Sequence, residues 1–177
     1  MIRHLAAAGR VAVPWKNGGG VTREIAVFPD GAGMDDFLWR VSMADVTQAG
    51  PFSRFDGIDR HLTILAGQLQ LDLPDGRHLL NAGDSLAFDG GTPIYGTPLL
   101  PVTDLNVMTR RGAFRARVDR TLAGRTEGAT LLICTMVTAV HMNGHVFALA
   151  PFDALLCDGA YDFTANNALW RIALSAI

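Results

Sequence analysis

The stretch that decides the fold reads LTILAGQLQLDLPDGRHLLNAGDSLAF and spans residues 62–88. Apolar residues recur through 62–73, 77–80 and 85–88 in short runs that are typical of strands. The Asp75-Gly76 pair between the first two runs is a strong signal for a two-residue hairpin turn. The stretch therefore predicts short antiparallel strands that are joined by tight turns.

The same pattern extends along the rest of the chain. Further strands are predicted at residues 21–28, 38–46, 105–109, 130–140, 146–149 and 154–157. Asn143-Gly144 is a second hairpin signal, whereas residues 119–128 lack a strand period and are predicted to form a loop or a short turn. The sequence thus predicts an all-β protein of the sandwich or barrel type.

An internal repeat accompanies these strands. The heptapeptide DSLAFDG at residues 84–90 returns as DALLCDG at residues 153–159, and each copy follows a predicted hairpin. This context favours duplication over chance. We therefore predict one domain, residues 1–177, made of two similar halves at approximately 1–100 and 101–177.

Composition narrows the class of protein. The chain has 177 residues, of which 49% are hydrophobic, and its net charge of -2 does not indicate binding to nucleic acid or to an anionic membrane. No apolar run approaches the ~18 residues of a membrane span, and none near the start resembles a signal-peptide core. Cys134 and Cys157 lie in apolar runs and are predicted to be reduced thiols of a cytoplasmic protein. The oligomeric state is left open, with a homodimer as one arrangement.

The segment WKNGGGVTREI, residues 15–25, combines a tryptophan with several polar residues. It holds the single lysine, Lys16, and one of two glutamates, Glu24. Consecutive glycines let backbone amides approach a ligand closely. In the strand that follows, Thr22 and Glu24 share one face and Arg23 takes the other. A Gly-rich bend with solvated Arg23 and Glu24 is the alternative, but polar groups beside an aromatic residue favour a ligand pocket.

Two other predicted strands carry polar residues on one face. Arg40 and Ser42 alternate with apolar neighbours, and Asn106 shares a face with Asp104 and Met108. The Arg40 set lines the barrel or, alternatively, forms a surface face, and Asn106 is either a satisfied barrel residue or a ligand amide. An arginine that points inward needs an anion, because an unpaired buried charge costs several kcal/mol. A carboxylate suits the forked guanidinium, so the sequence favours a carboxylate ligand.

Residues 65–69, 75–76 and 82–88 resemble the central strands of a cupin. Metal-binding cupins place two His and a Glu before the position of Gly67 and another His after the later turn. In this chain those positions fall near Arg54, Asp56, Arg60 and Ile94, which do not make a metal site. His141 and His145 are expected on opposite faces of their hairpin. We therefore predict neither a metal nor another cofactor.

Four motifs in order resemble the HutD/Ves family across nearly the whole chain. They are WKNGGG-x-TREI from Trp15, WR-x-S-x-A-x-V from Trp39, GPFS-x-F-x-G-x-x-R from Gly50, and DLN-x-M from Asp104. The resemblance implies a bicupin fold, occurrence in bacteria and encoding beside histidine-utilisation genes. It also implies a small-molecule binder that restrains histidine catabolism, with urocanate or N-formylglutamate as suggested ligands.

Two functions follow from these observations. The first is metal-independent binding of a small carboxylate, favoured because no nucleophile–base pair is evident. The second is a metal-independent isomerase or hydrolase with Glu24 as general base and Lys16 or Arg23 as clamp. The candidate ligand-binding residues are Trp15, Lys16, Asn17, Gly18, Gly19, Thr22, Arg23, Glu24, Arg40, Ser42, Arg60 and Asn106.

Overall fold

The computed structural model describes all 177 residues and contains fifteen β-strands and no helix. This confirms the all-β prediction. No helix is therefore present that could cross a membrane.

The strands vary from two to sixteen residues, and all of their pairings are antiparallel. In chain order they are β1 (Ile2–Leu5), β2 (Ala12–Pro14), β3 (Gly20–Phe28), β4 (Trp39–Val46), β5 (Gly50–Pro51), β6 (Ile58–Leu73), β7 (Gly76–Asn81), β8 (Ser85–Asp89), β9 (Tyr95–Arg110), β10 (Phe114–Thr126), β11 (Ala129–Ile133), β12 (Thr138–Met142), β13 (His145–Leu149), β14 (Ala154–Asp158) and β15 (Tyr161–Ala176).

The chain forms two compact units. One is Val11–Ala113, and the other combines Met1–Arg10 with Phe114–Ile177. The first of these units extends to Ala113, because β9 continues to Arg110 and pairs with β4 and β6 of the same unit. The first ten residues join the C-terminal unit because β1 pairs with β14.

The Val11–Ala113 unit is a sheet of eight strands in the order β2-β3-β4-β9-β6-β7, with β5 on β9 and β8 on β6. Side chains alternate across a strand, so Ile58, Arg60, Leu62 and Ile64 share one face of β6. All four are buried. This face forms the interior of the unit, and it carries one guanidinium among apolar side chains.

The other unit is a sheet of seven strands in the order β1-β14-β11-β15-β12-β13, with β10 on β15. Its core contains Leu132, Met142, Leu155 and Phe163, all at most 3% exposed. Both cysteines are free and buried.

The predicted repeat has a counterpart in the hydrogen bonds. Asp84 precedes β8 and accepts the N–H of Asn81 at 2.8 Å, while Asp153 precedes β14 and accepts the N–H of Ala150 at 3.0 Å. Each carboxylate thus bonds the amide three residues before it. The residue just before Asp153 is Phe152, whose φ of 69° is left-handed although it is not a glycine. The shared geometry supports duplication of the strand and its preceding turn.

One hairpin prediction is confirmed and one is wrong by a residue. Met142 pairs with His145, so Asn143-Gly144 is the two-residue turn, and His141 and His145 lie on opposite faces as expected. In the other hairpin Leu73 pairs with Gly76, so the turn is Pro74-Asp75 rather than Asp75-Gly76. Proline fixes the φ that suits the first central position of a turn.

The prediction of a loop at residues 119–128 is wrong. Most of that segment belongs to β10, which pairs along its length with β15, a strand that the sequence pattern also did not reveal. β10 pairs with no other strand and is mostly partly exposed or exposed. Its arginines can therefore stay in solvent, which removes the apolar alternation on which strand prediction depends.

Candidate functional site

A cavity of about 750 Å³ lies within the Val11–Ala113 unit. Alternation along β4 and β9 supplies two rows of its wall, because every second residue points to the same face. Its lining residues are Val13, Pro14, Trp15, Lys16, Asn17, Thr22, Met34, Arg40, Ser42, Ala44, Pro51, Phe52, Ser53, Phe55, Arg60, Asp104, Asn106 and Met108. The wall thus combines apolar surface with a few polar and charged groups, as ligand pockets do.

Arg60 is the most buried cation of the cavity, with 7% of its surface exposed. Its guanidinium carbon lies 5.1 Å from the ring centroid of Phe88 and 5.5 Å from that of Phe55. Nε donates to Asn106 Oδ1 at 3.4 Å, and Nη1 donates to the carbonyl of Ser53 at 3.1 Å. These two bonds leave Nη2 available to a ligand.

No carboxylate forms a salt bridge with Arg60. Burial lowers the pKa of Arg60 to about 10, against the opposing effect of Asp104. The side chain therefore remains a cation at neutral pH. The result is a buried positive charge with unused donors.

Arg40 supplies a second guanidinium. Arg40 and Arg60 each pair with Met108 of β9 from opposite sides, so the two cations flank that residue on the interior face. Nε of Arg40 donates to Glu24 Oε2 at 2.8 Å, and Nη1 donates to Ser42 Oγ at 3.3 Å. Glu24 thus neutralises Arg40 but not Arg60.

Asp104 is a lining residue that the ligand-site prediction left out. It is 3% exposed, and its Oδ1 has no hydrogen-bond partner in the protein. Burial raises its pKa to about 7, although the charge of Arg60 acts in the opposite direction. The sequence placed Asp104 on the face of Asn106, and that shared face was the signal that could have identified it.

The segment from Trp15 to Gly20 forms the turn between β2 and β3. Trp15 Nε1 donates to Thr22 Oγ1 at 2.8 Å, which fixes the indole beside the cavity. A Cβ on Gly20 would lie 2.5 Å from the carbonyl oxygen of Asp45 and 3.2 Å from the Trp15 ring, so only glycine fits there. Gly18 adopts a left-handed φ of 72°.

The structure brings together most of the predicted site residues, but not all of them. Those that line the cavity are Trp15, Lys16, Asn17, Thr22, Arg40, Ser42, Arg60 and Asn106. Gly18, Gly19, Arg23 and Glu24 do not line it. The glycines shape the turn instead, and Glu24 reaches the cavity only through its bond to Arg40.

Arg23 points away from the cavity, on the opposite face of β3 from Thr22. Its Nη1 donates to Asp45 Oδ2 at 2.6 Å, and both side chains are more than one third exposed. The catalytic alternative with Arg23 as clamp and Glu24 as base therefore has its two groups on different faces of one strand.

Sequence reasoning also missed the aromatic wall. Phe52 and Phe55 follow the two-residue β5 in a segment that looked like a loop, yet both line the cavity and contact the guanidinium of Arg60. Phe52 also meets Trp15 edge to face, with ring centroids 6.3 Å apart. Loop residues carry no strand period, so a pattern search does not place them on an interior face.

The cavity residues do not suit a metal. No group of three or more His, Cys, Asp or Glu side chains is arranged to hold one. At the positions that correspond to cupin ligands, Arg60 is a cation, Ile94 is buried in the apolar core, and Arg54 donates to the carbonyl of Gly91. Two guanidiniums in one cavity repel a divalent ion and attract an anion.

Comparison with known proteins agrees with the sequence motifs. The HutD family model matches residues 7–171. The chain belongs to the HutD family. Among its relatives is Protein Ves of Escherichia fergusonii, which is 37% identical over 170 residues, with 92% of this chain and 87% of the relative covered.

A second relative of this HutD-family protein is an uncharacterised 21.2 kDa protein from the hutC 3′ region of Pseudomonas putida. It is 34% identical to this chain over 157 residues, and the alignment covers 83% of this chain and 82% of the relative. Among solved structures, HutD from Pseudomonas fluorescens SBW25, obtained in a formate condition, superposes with a TM-score of 0.88 at 28% identity over the full length of both chains. These relatives link the family to histidine utilisation.

More distant structures show the fold alone. A Cupin 2 conserved barrel domain protein from Leptotrichia buccalis superposes with a TM-score of 0.62 at 6% identity, covering 98% of this chain and all of the other. The predicted cupin-like fold is thereby confirmed.

Proposed function

We propose that this HutD-family protein binds a small carboxylate in the cavity of the Val11–Ala113 unit, without a metal, and thereby modulates histidine utilisation. The observation that carries the proposal is the guanidinium of Arg60, which is buried beside aromatic rings and has no salt bridge. Such a charge is costly unless an anion compensates it.

The surroundings of Arg60 fit a planar organic acid. A carboxylate accepts hydrogen bonds from the guanidinium fork, and Phe52, Phe55 and Trp15 offer apolar surface to the remainder of the ligand. The volume of about 750 Å³ is within the range of small-molecule sites. Urocanate and N-formylglutamate, both carboxylates of histidine breakdown, are the ligands that we propose.

The proposal includes a cytoplasmic location. Cys134 and Cys157 are both buried, free thiols. Reduced thiols of this kind are typical of proteins in a reducing compartment.

The test is calorimetric titration of urocanate and N-formylglutamate into the wild-type protein and into Arg60→Met. Loss of the charge-assisted bonds should weaken binding by about 10- to 100-fold. Met keeps an unbranched apolar stem in place of the buried charge, so folding should be retained, and urea unfolding of the unliganded variant checks this.

Arg77→Gln is the matched control. Arg77 lies on β7, its side chain is 69% exposed and paired with Asp72, and it does not line the cavity. This variant should bind both acids as the wild type does. If Arg60→Met binds them with unchanged affinity, the anion site is not at Arg60 and the proposal is wrong.

A further inference from the structure

Asp104 is a second polar group in the same cavity, and the protein satisfies it only in part: the backbone N–H of Ala44 bonds its carboxyl group, and Oδ1 has no partner. It is 3% exposed, it lines the cavity, and its Oδ1 has no partner. A buried acceptor without a partner lowers the stability of the folded protein, and more so when it is charged. A group of this kind in a ligand cavity marks the place where the ligand supplies the missing donor.

The strand register separates this acceptor from the anion site. Asn106 bonds Arg60 and therefore marks the anion site. Asp104 lies two residues from Asn106 on the same face of β9, so the two Cα atoms are separated by about 7 Å. In the adjoining rows Asn106 pairs with Ser42, and Asp104 pairs with Ala44. Ala44 has no side-chain donor, and its backbone N–H is the one protein donor to the Asp104 carboxyl, so Oδ1 is left without a partner.

Arg60 does not fill the role of that donor. The two opposite charges influence each other, yet no salt bridge joins them, and the hydrogen bonds of Arg60 go to Asn106 and Ser53. The cavity therefore presents a donor group and an acceptor group at separate points. A ligand that satisfies both must carry an acceptor at one end and a donor at the other.

We infer that Asp104 accepts a hydrogen bond from an N–H group of the bound acid, so that the cavity selects small carboxylates that also carry an N–H donor several bonds from the carboxylate. This inference rests on the proposed function, because it takes the carboxylate to lie at Arg60. It makes Asp104 a specificity-determining residue. Acids of the same size without the N–H group are rejected, since they leave the buried Oδ1 of Asp104 without a donor.

The experiment compares two matched pairs of probes by calorimetry. Urocanate is set against furylacrylate, in which a furan without N–H replaces the imidazole. N-formylglutamate is set against its N-methyl derivative, in which a methyl group replaces the amide hydrogen. The wild-type protein should bind the N–H member of at least one pair about tenfold or more tightly than its partner.

Asp104→Asn should narrow the difference in affinity between the two members of a pair, because it removes the charge from the acceptor while keeping its shape. Asp104→Leu should abolish the difference, because it removes the acceptor altogether. Urea unfolding shows that each variant is folded. Asp72→Asn is the matched control, since Asp72 lies on β6 and outside the cavity, and it should retain the full preference.

The outcomes separate this inference from the function on which it rests. If both members of each pair bind equally well, or if Asp104→Leu keeps the preference, the role of Asp104 is wrong while carboxylate binding stands. If none of the four acids binds the wild-type protein, carboxylate binding is wrong, and the role of Asp104 is overturned with it.

Discussion

Arg60 and Asp104 show how two neighbouring strands place opposite charges in one cavity without joining them. Both are at least 93% buried, and each lies on the interior face of a long strand, β6 for Arg60 and β9 for Asp104. The charge of Arg60 partly compensates that of Asp104. The remaining N–H donors of Arg60 and the Oδ1 of Asp104 nevertheless have no hydrogen-bond partner in the protein. In the unliganded protein such groups lower stability, as is common at functional sites.

The burial of Asp104 has a consequence for stability against pH. Its pKa of about 7 in the folded protein lies above the ordinary carboxyl value of 3.8. Between these values the folded state keeps a proton that the unfolded state releases, so the free energy of unfolding falls as the pH rises from about 4 to about 7. Arg60, whose charge opposes the rise in the pKa of Asp104, remains a cation through this interval.

Asp104→Asn cannot titrate and should escape this loss. Relative to wild type, its free energy of unfolding should improve by roughly 2–4 kcal/mol between about pH 4 and about pH 8. Urea unfolding of both proteins at the two pH values measures the difference. Asp72→Asn is the control. Hydrogen bonding to Arg77 lowers the pKa of Asp72, which is the opposite direction from Asp104, so this variant should not gain stability relative to wild type as the pH rises. A parallel pH dependence of wild type and Asp104→Asn would contradict the prediction.

At the scale of elements, the duplicated turn before β8 and β14 has acquired different roles in its two copies. Asp84 is exposed, and its carboxylate bonds only Asn81. Asp153 is 4% exposed and also accepts the N–H of Ala7 at 2.6 Å and contacts His4 Nε2 at 2.7 Å. The second copy therefore holds the first ten residues of the chain against β14.

Alanine substitutions at the two positions should reveal this difference. Asp153→Ala removes the acceptor of the Ala7 and Ala150 N–H groups and the partner of His4, and should cost about 2–4 kcal/mol of unfolding free energy, whereas Asp84→Ala should cost about 1 kcal/mol or less. Urea unfolding gives both values, and hydrogen exchange of the β1 amides should accelerate only in Asp153→Ala. Equal losses in the two variants would show that the N-terminal segment does not depend on Asp153.

The elements also show where sequence patterns succeed. The alternation in residues 38–46 predicted that Arg40, Ser42 and Ala44 share a face, and all three line the cavity. The pattern does not distinguish a polar face in a cavity from one on the surface, since both alternate with apolar residues. The arginines of β10 illustrate the surface case, because they lie on a strand that stays largely open to solvent.

For the whole molecule, ligand binding should act on one unit. Every lining residue of the cavity belongs to Val11–Ala113. A ligand at about 100 times its Kd adds ~2.7 kcal/mol of stability to the state that binds it. Urocanate or N-formylglutamate should therefore slow amide exchange in β3, β4, β6 and β9, measured by mass spectrometry. Protection confined to residues 114–177 would place the ligand elsewhere.

The sequence by itself determined the all-β fold, the cupin-like hairpins, the HutD resemblance and most of the polar residues around the cavity. These follow from local rules: side-chain alternation, turn residues and ordered motifs. Only the tertiary structure decided that Glu24 pairs with Arg40, that Arg23 pairs with Asp45, and that Arg60 and Asp104 stay apart. Which charge meets which depends on strand register and on loops far away in the chain, because burial and pairing are set by neighbours in space rather than in sequence.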